Sequence, residues 1–277
     1  MKYLIIFFLF LTISVFPCFT QDTSFLKTGE EKLALLFRQI HQEKQEQRII
    51  SLNNSVLRLF EEVLKSPLSF TYPFDSLRYT GKLYPPDTSF RLINWNLSFP
   101  DGHFNYFGFI LQKDSLNHTS RVIRLYDHSS EIRNPEDTLL TPSCWYGTLY
   151  YDILLNSWEG TNYYTLLGID YNDLFSTRKV IDVITFDKQK NIMFGAPVFS
   201  TGKKIHNRVI FEFSARVSML LHFDKQLNMI IFDHLSPSRP QYEGVYQFYG
   251  PDSSYDGFAF YDGMWRLIKD LNVKNEQ

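Results

Sequence analysis

Phe90–Leu97 (FRLINWNL) and Phe104–Leu111 (FNYFGFIL) decide the fold. Both are rich in β-branched and aromatic residues with a period of two, and Pro100-Asp101-Gly102 between them is a turn signal. The pattern recurs in Trp145–Leu154, Tyr163–Ile169, Val180–Phe186, Ile192–Phe199, Arg208–Phe213, Ser218–Phe223 and Met229–Phe232. Glu159-Gly160-Thr161, Asp187-Lys188 and Asp224-Lys225 punctuate it. In Asp256–Leu267 (DGFAFYDGMWRL), Phe258 and Phe260 alternate, Asp262-Gly263 supplies the positive φ of a type I′ turn, and Trp265 and Leu267 return. Short strands at this spacing, with no helical pattern between them, predict a mainly β fold. It is an antiparallel multi-stranded meander, sandwich- or barrel-like, with a propeller-like array as an alternative. The Phe-Asp-Lys-Gln stretches at Phe186 and Phe223 lie 37 residues apart, a spacing that a repeated blade would give, but only two copies are clear.

Upstream, the period changes. Leu33, Leu36, Phe37 and Ile40 make a helical stripe, repeated by Leu52, Val56, Leu59, Phe60 and Val63, and Pro67 ends it. The polar run His41–Arg48 is either a solvated helix face or a break between two helices. The organisation expected is a signal peptide over 1–20, a helical N-terminal segment over 21–66 and one β domain over 67–277.

The signal peptide rests on Lys2, the apolar run Tyr3–Phe16, and small residues at Cys18 and Thr20. That run is shorter than the roughly 20 residues a spanning helix needs. An uncleaved anchor and a lipid anchor on Cys18 are the alternatives; Phe16-Pro17 before the cysteine suits a lipoprotein signal poorly. Cleavage near Thr20 leaves Cys144 as the single cysteine, so stability must come from burial rather than disulfides. This favours an exported bacterial protein, periplasmic or extracellular, and makes the sequons at Asn53, Asn96 and Asn117 accidental. A formal charge of −2 gives no basic surplus for nucleic acid, and no later apolar stretch reaches spanning length, so no transmembrane helix is expected in the mature chain.

Catalytic spacings fail one by one. Gly195–Lys204 (GAPVFSTGKK) has six residues between its glycines where a P-loop needs four. Asp127-His128 and Asp233-His234 are adjacent pairs, which a strand points to opposite faces. His222 and Asp224 would share a face but lack a third partner. Cys144 reads as a packed thiol beside Trp145. Asp252, Ser254 and Asp256, followed by Gly257, have the spacing of the first ligands of a calcium loop. The twelfth position is Gly263, however, so the bidentate carboxylate is missing, and the competing reading is a turn capped by its aspartates. With aromatics at 17% of the chain, Tyr146, Thr148 and Tyr150 form the polar face of an expected strand and, with Trp158, are candidates for stacking a sugar.

Several motifs in order carry a family likeness: Trp145–Tyr151 (WYGTLYY), Tyr164–Asp170 (YTLLGID), Phe194–Pro197 (FGAP), Arg208–Ser214 (RVIFEFS), Phe232–Leu235 (FDHL) and Tyr249–Asp252 (YGPD). Over roughly residues 76 to 270 the chain resembles an uncharacterised family of secreted or periplasmic β-rich proteins of Bacteroidota. The resemblance implies an envelope location and transfers no activity.

The expected function is a non-catalytic exported envelope protein that binds or scaffolds another macromolecule, an envelope protein or a glycan, through its β surface. A rival hydrolase of glycan or peptide would gather some of Asp170, Glu212, His222, Asp224, Asp233 and His234 in one cleft. A structural β module of a surface complex would instead expose an apolar patch above several hundred Å².

Overall fold

A computed structural model describes residues 23–114 and 119–272. The expected signal peptide, Cys18 and the sequon at Asn117 lie outside the described residues.

The helical stripe resolves into α1 (Ser24–Gln42) and α2 (Glu46–Val63). His41–Arg48 contains the break. The Glu43 carboxylate accepts from the backbone N–H groups of Lys44 (2.9 Å) and Gln45 (3.0 Å), and pairs with Arg48 at 3.0 Å. Pro67 then opens a 3₁₀ turn, Pro67–Phe70.

Among the described residues fifteen strands follow, in three sheets. In the first sheet, β1 (Gly81–Leu83), β2 (Phe90–Ser98), β3 (Phe104–Asp114) and β4 (Thr119–Tyr126) pair antiparallel in chain order. The second contains β5 (Leu149–Trp158), β6 (Thr161–Asp170), β7 (Ser176–Phe186) and β8 (Ile192–Phe194). After β9 (Phe199–Ser200) and β10 (Ile205–His206), β11 (Val209–Ser214) returns to pair with β7. Last come β12 (Leu221–Asp224), β13 (Met229–Pro237), β14 (Tyr249–Tyr261) and β15 (Met264–Ile268). With β9 and β10 they make a third sheet of order β10-β9-β15-β14-β13-β12, antiparallel except where β15 meets β9.

The period of two builds the layers. On β2, Ile93, Trp95 and Leu97 join the core under the helices, whereas Phe90 and Leu92 face the second sheet. On β7, Val180 and Ile184 face the first sheet, and Ile181 and Val183 face the third. The molecule is therefore a stack of helices and three antiparallel sheets, with the middle sheet buried on both sides. Trp95 sits at the centre of the helix-facing core. Its ring centroid lies 5.8 Å from Phe37 and 5.2 Å from Phe60, and its indole N–H donates to Asn53 Oδ1 at 2.9 Å.

The joint between helices and sheets is held by charge. Arg91 is 1% exposed; its Nη1 donates to the carbonyls of Ser69 (2.8 Å) and Tyr72 (2.6 Å), and Nη2 to that of Pro73 (3.2 Å). Its guanidinium also lies 5.1 Å from the Phe74 ring centroid and 5.0 Å from that of Tyr84. A second fully buried arginine, Arg208, stands 3.2 Å from Asp182, whose other oxygen accepts the Tyr150 hydroxyl at 3.0 Å.

Three expectations change. The strand expected from Trp145 begins at Leu149, because Asp127 and Ser129 hold the Gly147 N–H. The strand expected over Ile192–Phe199 breaks into β8 and β9 around Gly195, whose φ is +86°. The Asp-Lys echo marks shared turn chemistry: Asp187 accepts from the N–H groups of Gln189 and Asn191, and Asp224 from those of Gln226 and Leu227. The Asp262-Gly263 turn forms as expected, with φ of +51° and +73°. No helix among the described residues is long and apolar enough to cross a membrane.

Candidate functional site

The β6–β7 hairpin organises the surface. Its register sets Asp170 opposite Arg178, and the turn between them is closed by side chains. Asp173 Oδ1 accepts the N–H groups of Phe175 (2.7 Å) and Ser176 (2.9 Å), while the Asn172 amide donates to Ser176 Oγ at 2.7 Å. Asn172 takes the left-handed conformation (φ +51°) that asparagine tolerates. Phe175 O accepts the Ala215 N–H at 2.9 Å, tying the turn to the end of β11.

On one side of this turn lies a polar cleft of about 690 Å³. Asp170, only 4% exposed, is its floor. One oxygen accepts from the Tyr106 hydroxyl (3.0 Å) and the Asn172 N–H (2.8 Å); the other from the Tyr146 hydroxyl (3.1 Å) and Arg178 Nη1 (3.3 Å). Those four donors fill the four lone-pair positions of a carboxylate. Arg178 Nε also donates to Glu212 at 2.9 Å, and Glu212 accepts the Ser176 hydroxyl at 2.6 Å. Burial raises the Asp170 pKa against the opposing pull of the Asn172 N–H, Arg178 and the two tyrosine hydroxyls. Burial also raises both tyrosines, and the neighbouring Asp170 charge adds to it. At Arg178, burial works against the charge, but Tyr146, Glu212 and Asp170 outweigh it and hold the pKa above the usual arginine value. Asp127 on the cleft wall is also engaged, mostly through Oδ1. It accepts from the N–H groups of Tyr106 (3.1 Å), Ser129 (3.0 Å) and Gly147 (3.2 Å), and from the Ser129 hydroxyl (2.5 Å).

On the other side of the turn lies an apolar groove of about 580 Å³, lined by Leu174, Phe175, Val217, Phe248 and Pro251, with Arg216 as its charged member. Leu174 (66% exposed) and Phe175 (64%) are the most exposed large apolar side chains among the described residues.

The expected sugar-stacking face is overturned at all three of its positions. Tyr146, Thr148 and Tyr150 are buried, the two tyrosines packing with Phe90, Leu92 and Ile110 of the first sheet and turning their hydroxyls inward to Asp170 and Asp182. Trp158 is half-exposed and lies across Gly263, where a Cβ would strike its indole.

The expected calcium-loop residues stand in a strand instead. Asp252, Ser254 and Asp256 belong to β14, with a kink at Ser253 (φ +74°). Asp256 faces His234 Nδ1 at 2.9 Å and accepts the Asp270 N–H at 3.0 Å, while Asp252 accepts the Ser254 hydroxyl at 2.7 Å. Among the described residues, no three His, Cys, Asp or Glu side chains are placed to hold a metal ion.

The six residues of the rival hydrolase do not converge. Asp170 and Glu212 meet only through Arg178. Asp233 accepts the Leu220 N–H, His234 sits between two aspartates of β14, and Asp224 caps its own turn. Arg178 and Tyr106 were missed in the sequence. The available signal was symmetry: Asp170 and Arg178 are equidistant from Leu174, the centre of a hairpin.

No family model matches the chain, and no match is found among curated proteins or solved structures.

Proposed function

We propose that this chain is a non-catalytic exported envelope protein that holds another macromolecule through its β surface, with the groove beside the β6–β7 turn as the contact. One observation carries the reading. The two most exposed large apolar side chains, Leu174 and Phe175, stand on a turn locked by Asp173, Asn172 and Ala215, so they are presented to solvent by a fixed backbone. Exposed apolar groups on a preorganised turn favour association, because little conformational entropy remains to be lost on binding. The carboxylates of the neighbouring cleft are engaged in internal hydrogen bonds, Asp170 and Asp127 each accepting four donors. The N-terminal leader and the likeness to exported Bacteroidota proteins support the location. A mildly crosslinked pull-down from envelope extract tests it. The chain should retain a partner that Leu174→Asp/Phe175→Asp loses and Leu227→Asp, in the remote β12–β13 turn, keeps. Equal recovery by all three, or turnover of a cell-wall substrate with no partner, would overturn it.

A further inference from the structure

The polar cleft does not end at the β6–β7 turn. It shares Arg124 and Tyr126 with a second cleft of about 450 Å³, which is lined by Arg121, Thr141, Ser143 and Asn191. Both volumes fall within the range of small-molecule sites, about 300–1,000 Å³. We infer that the two clefts are subsites of one groove for an acidic glycan chain, with Tyr126 as the aromatic contact at the divide. This goes beyond the partner groove at Leu174 and Phe175 and does not depend on it.

Three observations carry the inference. The first is the state of Tyr126. Its backbone is pinned on both sides, the N–H to Pro142 O at 2.8 Å and the carbonyl to the Trp145 N–H at 2.9 Å. Its side chain is nonetheless 47% exposed, and the Arg124 guanidinium lies 4.9 Å from its ring centroid. A rigidly mounted, half-open aromatic ring offers an apolar face for the C–H side of a sugar.

The second is the balance of donors and acceptors. A neutral sugar presents hydroxyls that must donate as well as accept, and its sites usually answer with carboxylates. Here the carboxylates are already engaged. Asp170 is saturated, Asp127 accepts four donors, three of them on one oxygen, and Asp187 accepts from Gln189 N–H (2.9 Å), Asn191 N–H (2.8 Å) and the Asn191 amide (3.0 Å). What the groove offers a ligand is chiefly guanidinium: Arg121, with the edges of Arg124 and Arg178 that Glu61, Asp170 and Glu212 do not hold. Such a lining fits a ligand that brings its own acceptor oxygens, as a uronate or sulfate group does.

The third is shape. Two clefts meeting at a shared pair of residues suit an elongated occupant spanning Tyr126 rather than a compact one.

The experiment is calorimetric titration of the full mature chain with oligogalacturonate and with a sulfated oligosaccharide, each of about six sugars, against a neutral cello-oligosaccharide of equal length. At least one acidic oligomer should bind, more weakly at higher salt, and the neutral one should not. Tyr126→Ala should weaken binding about tenfold, whereas Tyr126→Phe, which keeps the ring, should stay within about twofold. Arg121→Gln should also weaken it, with the fold of each variant checked by circular dichroism. Absence of binding to either acidic oligomer at millimolar concentration, equal binding of the neutral one, or indifference to Tyr126→Ala would each overturn the inference. Leu174→Asp/Phe175→Asp should bind the glycan normally, so failure here and failure of the partner groove are read separately.

Discussion

The two sides of the β6–β7 turn are built on opposite rules. Towards the cleft, each charge is answered: Asp170 takes four donors, and Arg178 divides itself between Asp170, Tyr146 and Glu212. Towards the groove, Leu174 and Phe175 stand in water with their surface unsatisfied. Asp170 and Leu174 are only four positions apart, so the contrast is a matter of hairpin geometry rather than regional composition. What it teaches is that the network supplies rigidity and the apolar pair uses it. Stability should therefore be concentrated on the polar side and contact on the apolar side.

The largest expected effect is on Asp170. Replacement by alanine leaves four donors without their acceptor, and removing one partner of a buried charged network costs about 3–5 kcal/mol. The lower end applies, since the Arg178 side chain is 26% exposed and partly screened. Urea denaturation measures this; a loss under about 1 kcal/mol would place Asp170 among ordinary surface groups and dissolve the contrast. Gly147→Ala comes next. The added Cβ would run into the Asp127 carboxyl, and such overpacking costs about 1–3 kcal/mol. A stable alanine variant would mean that the cleft wall yields.

A smaller effect is visible only against pH. Because burial raises the Asp170 pKa above the ordinary 3.8, the folded chain holds that proton more tightly than the unfolded one. Its contribution is fully present below 3.8 and is lost as pH rises through the raised value. The stability gap between the wild type and Asp170→Asn should thus narrow from about pH 4 towards neutrality. Asp187 runs the other way. The Asn191 amide and backbone lower its pKa, so its contribution is present above 3.8 and is lost as pH falls. Denaturation midpoints of Asp170→Asn and Asp187→Asn across this range would separate the two, and a gap at Asp170 that widened with pH would refute the assignment. The smallest effect belongs to the apolar side: Leu174→Asp/Phe175→Asp should change stability by no more than about 0.5 kcal/mol per substitution while abolishing partner capture.

Much of the fold was legible because it rests on local rules. The stripe from Leu33 to Val63, the alternation in β2 and β3 and the Asp262-Gly263 turn each declare themselves within a dozen residues. The break at Glu43 was left open, since a solvated face and an interruption carry the same polar letters. Tyr146 and Tyr150 were misplaced for a different reason. Their burial depends on how the first sheet packs over them and on Asp170 and Asp182 taking their hydroxyls, neither of which a period of two reveals. The site was less legible still. Arg178 reaches Glu212 across a strand pairing 34 residues apart, and Tyr106 reaches Asp170 between sheets, 64 residues apart. Contacts of that range are fixed by how the layers stack.

Arg91 has a consequence for how the molecule meets a harsh environment. The groups that hold it are backbone carbonyls and aromatic rings, and none of them can take up a proton as the medium turns acidic. Arg91 thus fastens the segment that follows α2 to β2 by a clamp with no acid-labile half. The helices themselves lack that protection: Glu30 of α1 accepts the Tyr72 hydroxyl at 2.7 Å, and Glu61 of α2 pairs with Arg124 at 3.1 Å, so acidification should loosen the helices before the Ser69–Pro73 segment leaves the sheet.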